Sequence, residues 1–191
     1  MDRDRARVFY VVLIIVRIPH AINKQRTDKV VAKIHATKLT LDDAMGKNLP
    51  PNPGAEADKT LAGIDVNRNG IRDDVELAVF KEYPHSARTR SVLLQYALVS
   101  QMEMIQPIVN AETVGAVAEV GEGAYFCVGS ILSRENMSDY IQRVGKLRSL
   151  VEKEQFNTTE RQTAHNVFYE KLGSHALAQG SCDLDPNGFI N

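Results

Sequence analysis

The chain has no tryptophan, and aromatic residues make up only 6% of its 191 positions. A platform for stacking sugars or unpaired bases is therefore poorly supplied. Neither charge dominates: 23 Lys and Arg stand against 24 Asp and Glu, giving a formal net charge of −1. With no basic block, the electrostatic footprint of a nucleic-acid binder is missing. No apolar run reaches the roughly eighteen residues of a spanning helix. Zinc has no motif, since the chain contains no Cys-x-x-Cys and no His-x-x-x-His. His85, His165 and His175 are far apart and read as surface or helix-end residues. Gly-x-Ser-x-Gly, phosphate-loop and dinucleotide-binding glycine patterns are also absent, and no repeat appears at solenoid periods.

What the chain has is an ordinary globular composition, 43% hydrophobic and 25% charged, able to bury one core with appendages. One stretch specifies a chemistry: Asp65-Val-Asn67-Arg-Asn69-Gly70-Ile71-Arg72-Asp73-Asp74-Val-Glu76. A cation of calcium's size takes six to eight oxygens, and a tightly curled loop turns alternate side chains inward. In this register Asp65, Asn67 and Asn69 supply side-chain oxygens, and Ile71 its backbone carbonyl. Asp73 acts directly or through water, and Glu76 closes the set with both carboxylate oxygens. Gly70 stands where the chain must turn sharply. Asp74 falls outside the ligand register. The competing reading is an Asn/Gly turn leading into an acidic helix start, but such a turn has no need of a glutamate at the twelfth position.

These twelve residues and the helix after them resemble the EF-hand loop, especially single-loop variants such as dockerins and thrombospondin type 3 repeats. The wider pattern, Leu-Pro-Pro-Asn-Pro-Gly, then Leu-x-Gly-Ile-Asp and the loop, is similar to small exported bacterial helical proteins. The resemblance implies Ca2+ as the bound ion. Two departures stand out. Arg72 occupies the eighth position, where paired EF-hand loops carry an aliphatic residue, and the Pro-rich stretch with Gly63 leaves little room for a preceding helix. Both argue against a paired calcium sensor.

Four parts are expected along the chain: a signal or anchor segment at 1–21, an irregular segment with a Pro-rich linker at 22–60, the calcium loop with a helical domain at 61–173, and a tail at 174–191. The run Val8–Val16 followed by Pro19 and Ala21 suggests an export signal. A strand or helix packed on the domain, or an incorrectly assigned start, are the alternatives. A short helix is expected at 28–36. After the loop, three-and-four spacing of apolar residues predicts helices over 74–82, from Ser86 to about 106, over 110–132 with a kink near Gly121–Gly123, from Ser138 to about 155, and from a capping box at Asn157/Glu160 to Gly173. The fold class is all-α, a bundle of four to five helices following a single EF-hand-like loop. The second of these helices is apolar over more than half its surface and should sit centrally.

Cys127 and Cys182 suggest one disulfide if the chain is exported, and two free thiols if it is not. Asp183–Gly188 repeats the first half of a calcium loop, and reads either as an Asp/Asn/Gly turn or as a weak ion site. Glu103, Glu112, Glu119 and Glu122 lie in apolar helices, where an inward-facing pair would be costly and therefore functional. The function expected is a calcium-binding, extracytoplasmic helical module in a binding or assembly role, with a protein partner and with membrane contact only through an uncleaved N-terminal segment. The alternative is an enzyme with structural calcium and an active site that no motif reveals.

Overall fold

The computed structural model describes residues 3–173 and 180–189, with 3–16 and 18–20 as backbone only. Every regular element among the described residues is helical: α1 (Arg3–Ala36), α2 (Leu41–Met45), α3 (Asp73–Glu82), α4 (Ala87–Ile105), α5 (Ala111–Ser130), α6 (Met137–Gln155) and α7 (Thr159–Leu172), with short 3-10 turns at Gly54–Asp58 and Pro186–Gly188. The all-α expectation is met. Five helices follow the loop and two precede it.

The first third of the chain departs most from expectation. Residues 22–36 are not irregular: they belong to a helix of 34 residues that absorbs the short helix expected at 28–36. Over its described side chains the pattern is hard to read because few apolar positions are covered, with Ile34 fully buried and Val30 and Val31 partly so. Buried Thr27 takes a hydrogen bond from Asn110 Nδ2 at 2.9 Å. No helix among the described residues is long and apolar enough to cross a membrane. The expected leader at 1–21 falls largely on residues without described side chains.

α4 is the central element. Fourteen of its nineteen residues are buried, and α2, α3, α5, α6 and α7 all pack on it. Polar Ser91, Gln95, Ser100 and Gln101 are carried inside with the apolar set, since a helix surrounded on every side has no polar face to spare. α5 runs unbroken through Gly121 and Gly123, where a kink was expected.

Capping follows local chemistry, with two shifts from the sequence reading. Ser86 and Asn110 cap α4 and α5, each accepting the N–H of the residue three places on, Thr89 and Thr113. α6 is capped by Asn136, not Ser138, and α7 by Thr158, not Asn157. Asn157 is otherwise engaged: its amide bridges Asp58 and Arg161.

Cys127 and Cys182 form a disulfide with Cα atoms 5.5 Å apart. The tail reaches α5 there because two glycines meet. A Cβ on Gly180 would lie 2.1 Å from Gly123 Cα, so neither position has room for a side chain. Beyond them Gln95 accepts from the Asp183 N–H at 3.0 Å. Asp183, its side chain 6% exposed, takes the Leu39 N–H at 2.9 Å and Lys38 Nζ at 3.0 Å. Asp185 accepts from the Asn187 N–H. The two carboxylates of the half-loop at 183–188 thus bind the connection between α1 and α2 and a local N–H.

Candidate metal centre

The Asp65–Glu76 loop is shaped by its own side chains. Asp65 Oδ1 and Oδ2 accept the N–H groups of Asn69 and Gly70 at 3.2 and 3.0 Å. Asn67 Oδ1 accepts from the Asn69 N–H at 3.3 Å, and Asn69 Oδ1 from the Ile71 N–H at 2.9 Å. Each oxygen at the first, third and fifth positions therefore closes a small ring with the chain ahead of it, the Asx-turn chemistry that favours Asp and Asn over longer residues. Gly70 takes φ +86°, and Arg68 reaches φ +59° two residues earlier. The side chain at the twelfth position returns to the third: Asn67 Nδ2 donates to Glu76 Oε2 at 3.0 Å and to the Asn48 carbonyl at 3.1 Å. Asp73, fully buried, accepts the Val66 N–H at 3.0 Å. Ile71 is also fully buried, its side chain in the core.

The electrostatics of this loop are unbalanced. Glu76 is 1% exposed, and burial pushes its carboxyl up to about 7; the Asn67 amide opposes this, while Asp43 and Asp73 add to it. The Asn69 amide opposes it as well. Burial likewise raises the Asp73 carboxyl, against the Val66 N–H, with Asp65 and Asp74 adding repulsion. Three carboxyl groups and no cationic side chain among the six candidate residues leave positive charge wanted. The donors are hard oxygens, carboxylate, amide and backbone carbonyl, and a calcium-type cation suits that set. Among the described residues, no three Asp, Glu, His or Cys side chains converge closely enough to hold a metal by themselves. Any ion here would depend on Asn67, Asn69 and the Ile71 carbonyl as well.

Arg72, which departs from the EF-hand pattern, has a definite place. It is fully buried and turns away from the loop. Its guanidinium binds the Asp74 carboxylate through Nε at 3.0 Å and through Nη2, and donates to the carbonyls of Gln155 (3.1 Å) and Glu154 (3.3 Å). Those carbonyls belong to the last turn of α6, which lacks intrahelical donors and carries partial negative charge. Where two EF-hand loops would bridge, this loop is bound to a helix end.

A second buried arginine holds the segment before the loop. Arg161, fully buried, donates to the carbonyls of Ala57, Thr60 and Leu61, to Asn157 Oδ1 and to Asp58 Oδ1. The Asn157 and Arg161 hydrogen bonds hold the Asp58 carboxyl below its usual range. Gln101 on α4 donates to the Ala62 carbonyl at 2.8 Å and accepts from Gln155 Nε2. Sequence reading found the six candidate ligands but not this frame. Arg161 lies eighty-five positions beyond Glu76 on an unremarkable polar helix, and Arg72 registered only as an oddity.

The candidate glutamates separate by face. Glu112 and Glu119 are exposed, and Glu119 lies 3.6 Å from His35. Glu103 and Glu122 border a common cavity between α4, α5 and α7. His165, expected at a surface or helix end, is mid-helix on α7, 3.2 Å from Glu103. His175 lies outside the described residues. Searches against protein-family models, curated proteins and solved structures find no match for the chain.

Proposed function

We propose that Asp65, Asn67, Asn69, Ile71, Asp73 and Glu76 bind Ca2+, and that the ion stabilises the fold without switching it. The observation that carries this reading is the buried Glu76 carboxyl, raised to about 7 within a loop already folded around inward oxygens. A divalent ion would balance that charge and supply the only chemistry the loop lacks. The frame supports a static role, because Arg72 and Arg161 tie both sides of the loop to α6 and α7. A sensor would need helices able to open.

With only three anionic ligands, affinity falls in the weak extracellular range, a dissociation constant of roughly 10⁻⁵ to 10⁻³ M. Tenfold above that constant, linkage contributes about 1.4 kcal/mol. The disulfide is consistent with an oxidising, extracytoplasmic setting. The role that suits these features is a calcium-stabilised exported module that binds a partner or assembles.

Thermal melts in calcium and in chelator are the test. Wild type gains several degrees with calcium and little with magnesium, which demands a smaller octahedral shell. Glu76→Gln abolishes the gain. Asp74→Asn lowers stability through Arg72 but keeps the calcium increment, because Asp74 binds the guanidinium and not the ion. Coincident melts of the wild type would overturn the reading.

A further inference from the structure

Aromatic residues are scarce, twelve in all, six Tyr and six Phe. Six of them line one cavity of about 550 Å³: Tyr96, Tyr125, Phe126, Tyr140, Phe168 and Tyr169. They come from α4, α5, α6 and α7, so the clustering is a product of packing and not of local sequence. The volume is that of a small-molecule site. Tyr96 and Phe168 are buried at its floor, while Tyr125, Phe126 and Tyr169 are about half exposed at its mouth. Three large rings standing together at a surface mark a contact region.

The polar groups give the cavity a sign. Its lining holds the carboxylates of Glu103 and Glu122 against one guanidinium, Arg134, which is exposed and stacked on the Tyr140 ring. Glu103 is the deeper group, its side chain 10% exposed, accepting from Tyr169 Oη at 3.2 Å and facing His165 Nε2 at 3.2 Å. Burial holds the hydroxyls of both Tyr96 and Tyr169 well above the usual tyrosine range, with Glu152, which accepts from the Tyr96 hydroxyl at 2.7 Å, adding most for Tyr96 and the charge of Glu103 adding most for Tyr169. An anion would meet repulsion here. A cation would meet a carboxylate and the negative faces of several rings. The outer faces behave the same way, since Arg148 stacks on Tyr125 at 3.7 Å.

We propose that this cavity binds an organic cation, a protonated amine or quaternary ammonium carried on an apolar body of one or two rings. The charge lies beside Glu103 and the body among Tyr96, Phe168 and the rings of the mouth. This site shares no residue with the Asp65–Glu76 loop, and its test does not depend on calcium.

Titration calorimetry of the full chain with three isosteric probes, 2-naphthylmethylamine, 2-naphthylmethanol and 2-naphthoate, separates charge from shape. The amine binds, the alcohol about tenfold more weakly, and the carboxylate more weakly still. Glu103→Gln costs the amine about tenfold and brings it level with the alcohol. Gly121→Leu blocks the cavity, since a Cβ there already stands 3.9 Å from Glu103 Oε1 and 3.3 Å from Val99 Cγ1. Tyr125→Ala, at a half-exposed ring, weakens the amine about threefold or more and covers the case in which the other variants fail to fold. Naphthoate binding as tightly as the amine, no binding of any probe, or unchanged amine affinity in the folded variants would overturn the proposal.

Discussion

Two regions of this protein bury charge, and they do it in opposite ways. Around the loop, Arg72 and Arg161 are fully enclosed and surrounded by acceptors: backbone carbonyls, Asp74, Asp58 and Asn157. In the cavity between α4, α5 and α7, Glu103 is nearly as enclosed but borders open space walled by aromatic rings. A buried charge with its hydrogen bonds filled holds chain segments in register. A buried charge beside a void leaves part of its interaction to an incoming molecule. The first region is architecture for the loop, and the second is a surface addressed outward.

The largest effect expected from this contrast is that of Arg161→Met. It removes the buried guanidinium shared by three carbonyls, the Asn157 amide oxygen and the Asp58 carboxylate, and should cost about 3–5 kcal/mol in denaturant unfolding. Tyr125→Ala, at the cavity mouth, should cost about 1 kcal/mol, since it loses only the edge contact with Tyr96 and the Arg148 stack. Equal losses from the two would erase the distinction between frame and cavity.

Next in size is the disulfide. Cys127 and Cys182 are separated by 55 positions. Replacing both with Ser should cost about 2–4 kcal/mol, on the scale of closing a loop of that length. The tail seals the flank of α5 at Gly123 and Gly180, so the loss should appear first as hydrogen exchange at 180–185 and in α5, with the loop at 65–76 still protected. Simultaneous loss of protection in both places would show that frame and tail form one cooperative unit.

A smaller effect isolates the loop. In calcium-free protein the folded Glu76 carboxyl sits at about 7, against 4.5 for an ordinary glutamate. Between those values the folded state holds a proton that the unfolded chain has released. Stability therefore falls as pH rises from about 4.5 to 7, by on the order of 2–3 kcal/mol from this group, and levels off above. Protons and calcium compete for the carboxylate, so the calcium increment should grow over the same window and then plateau. Melts across pH 4.5–8 with calcium and with chelator check both slopes, and Glu76→Gln should flatten them.

The loop could be read in the sequence because its chemistry is local. Asp65, Asn67 and Asn69 hydrogen-bond N–H groups two to five residues ahead, so spacing along the chain is spacing in space. Helices α3 to α7 were legible for the same reason: periodicity, caps and terminators act within a turn or two. Even there, competition among neighbouring capping residues at 136–138 and 157–158 was settled by contacts from elsewhere, as Asn157 shows by serving Arg161 and Asp58. Of α1 only the part at 28–36 was legible; over 21–27 the helix offers few apolar positions to read, and its docking is on α5.

Composition and spacing alone thus determined an all-helical chain, the hydrogen-bonded turn at Asp65–Glu76 and the two cysteines available to pair. Tertiary structure decided which glutamates face inward, which arginines brace the loop, and that half of the scarce aromatic residues meet around one void. Those outcomes join positions as far apart as Asp58 and Arg161, or Tyr96 and Tyr169, and no pattern along a chain records which helix faces will meet once the core closes.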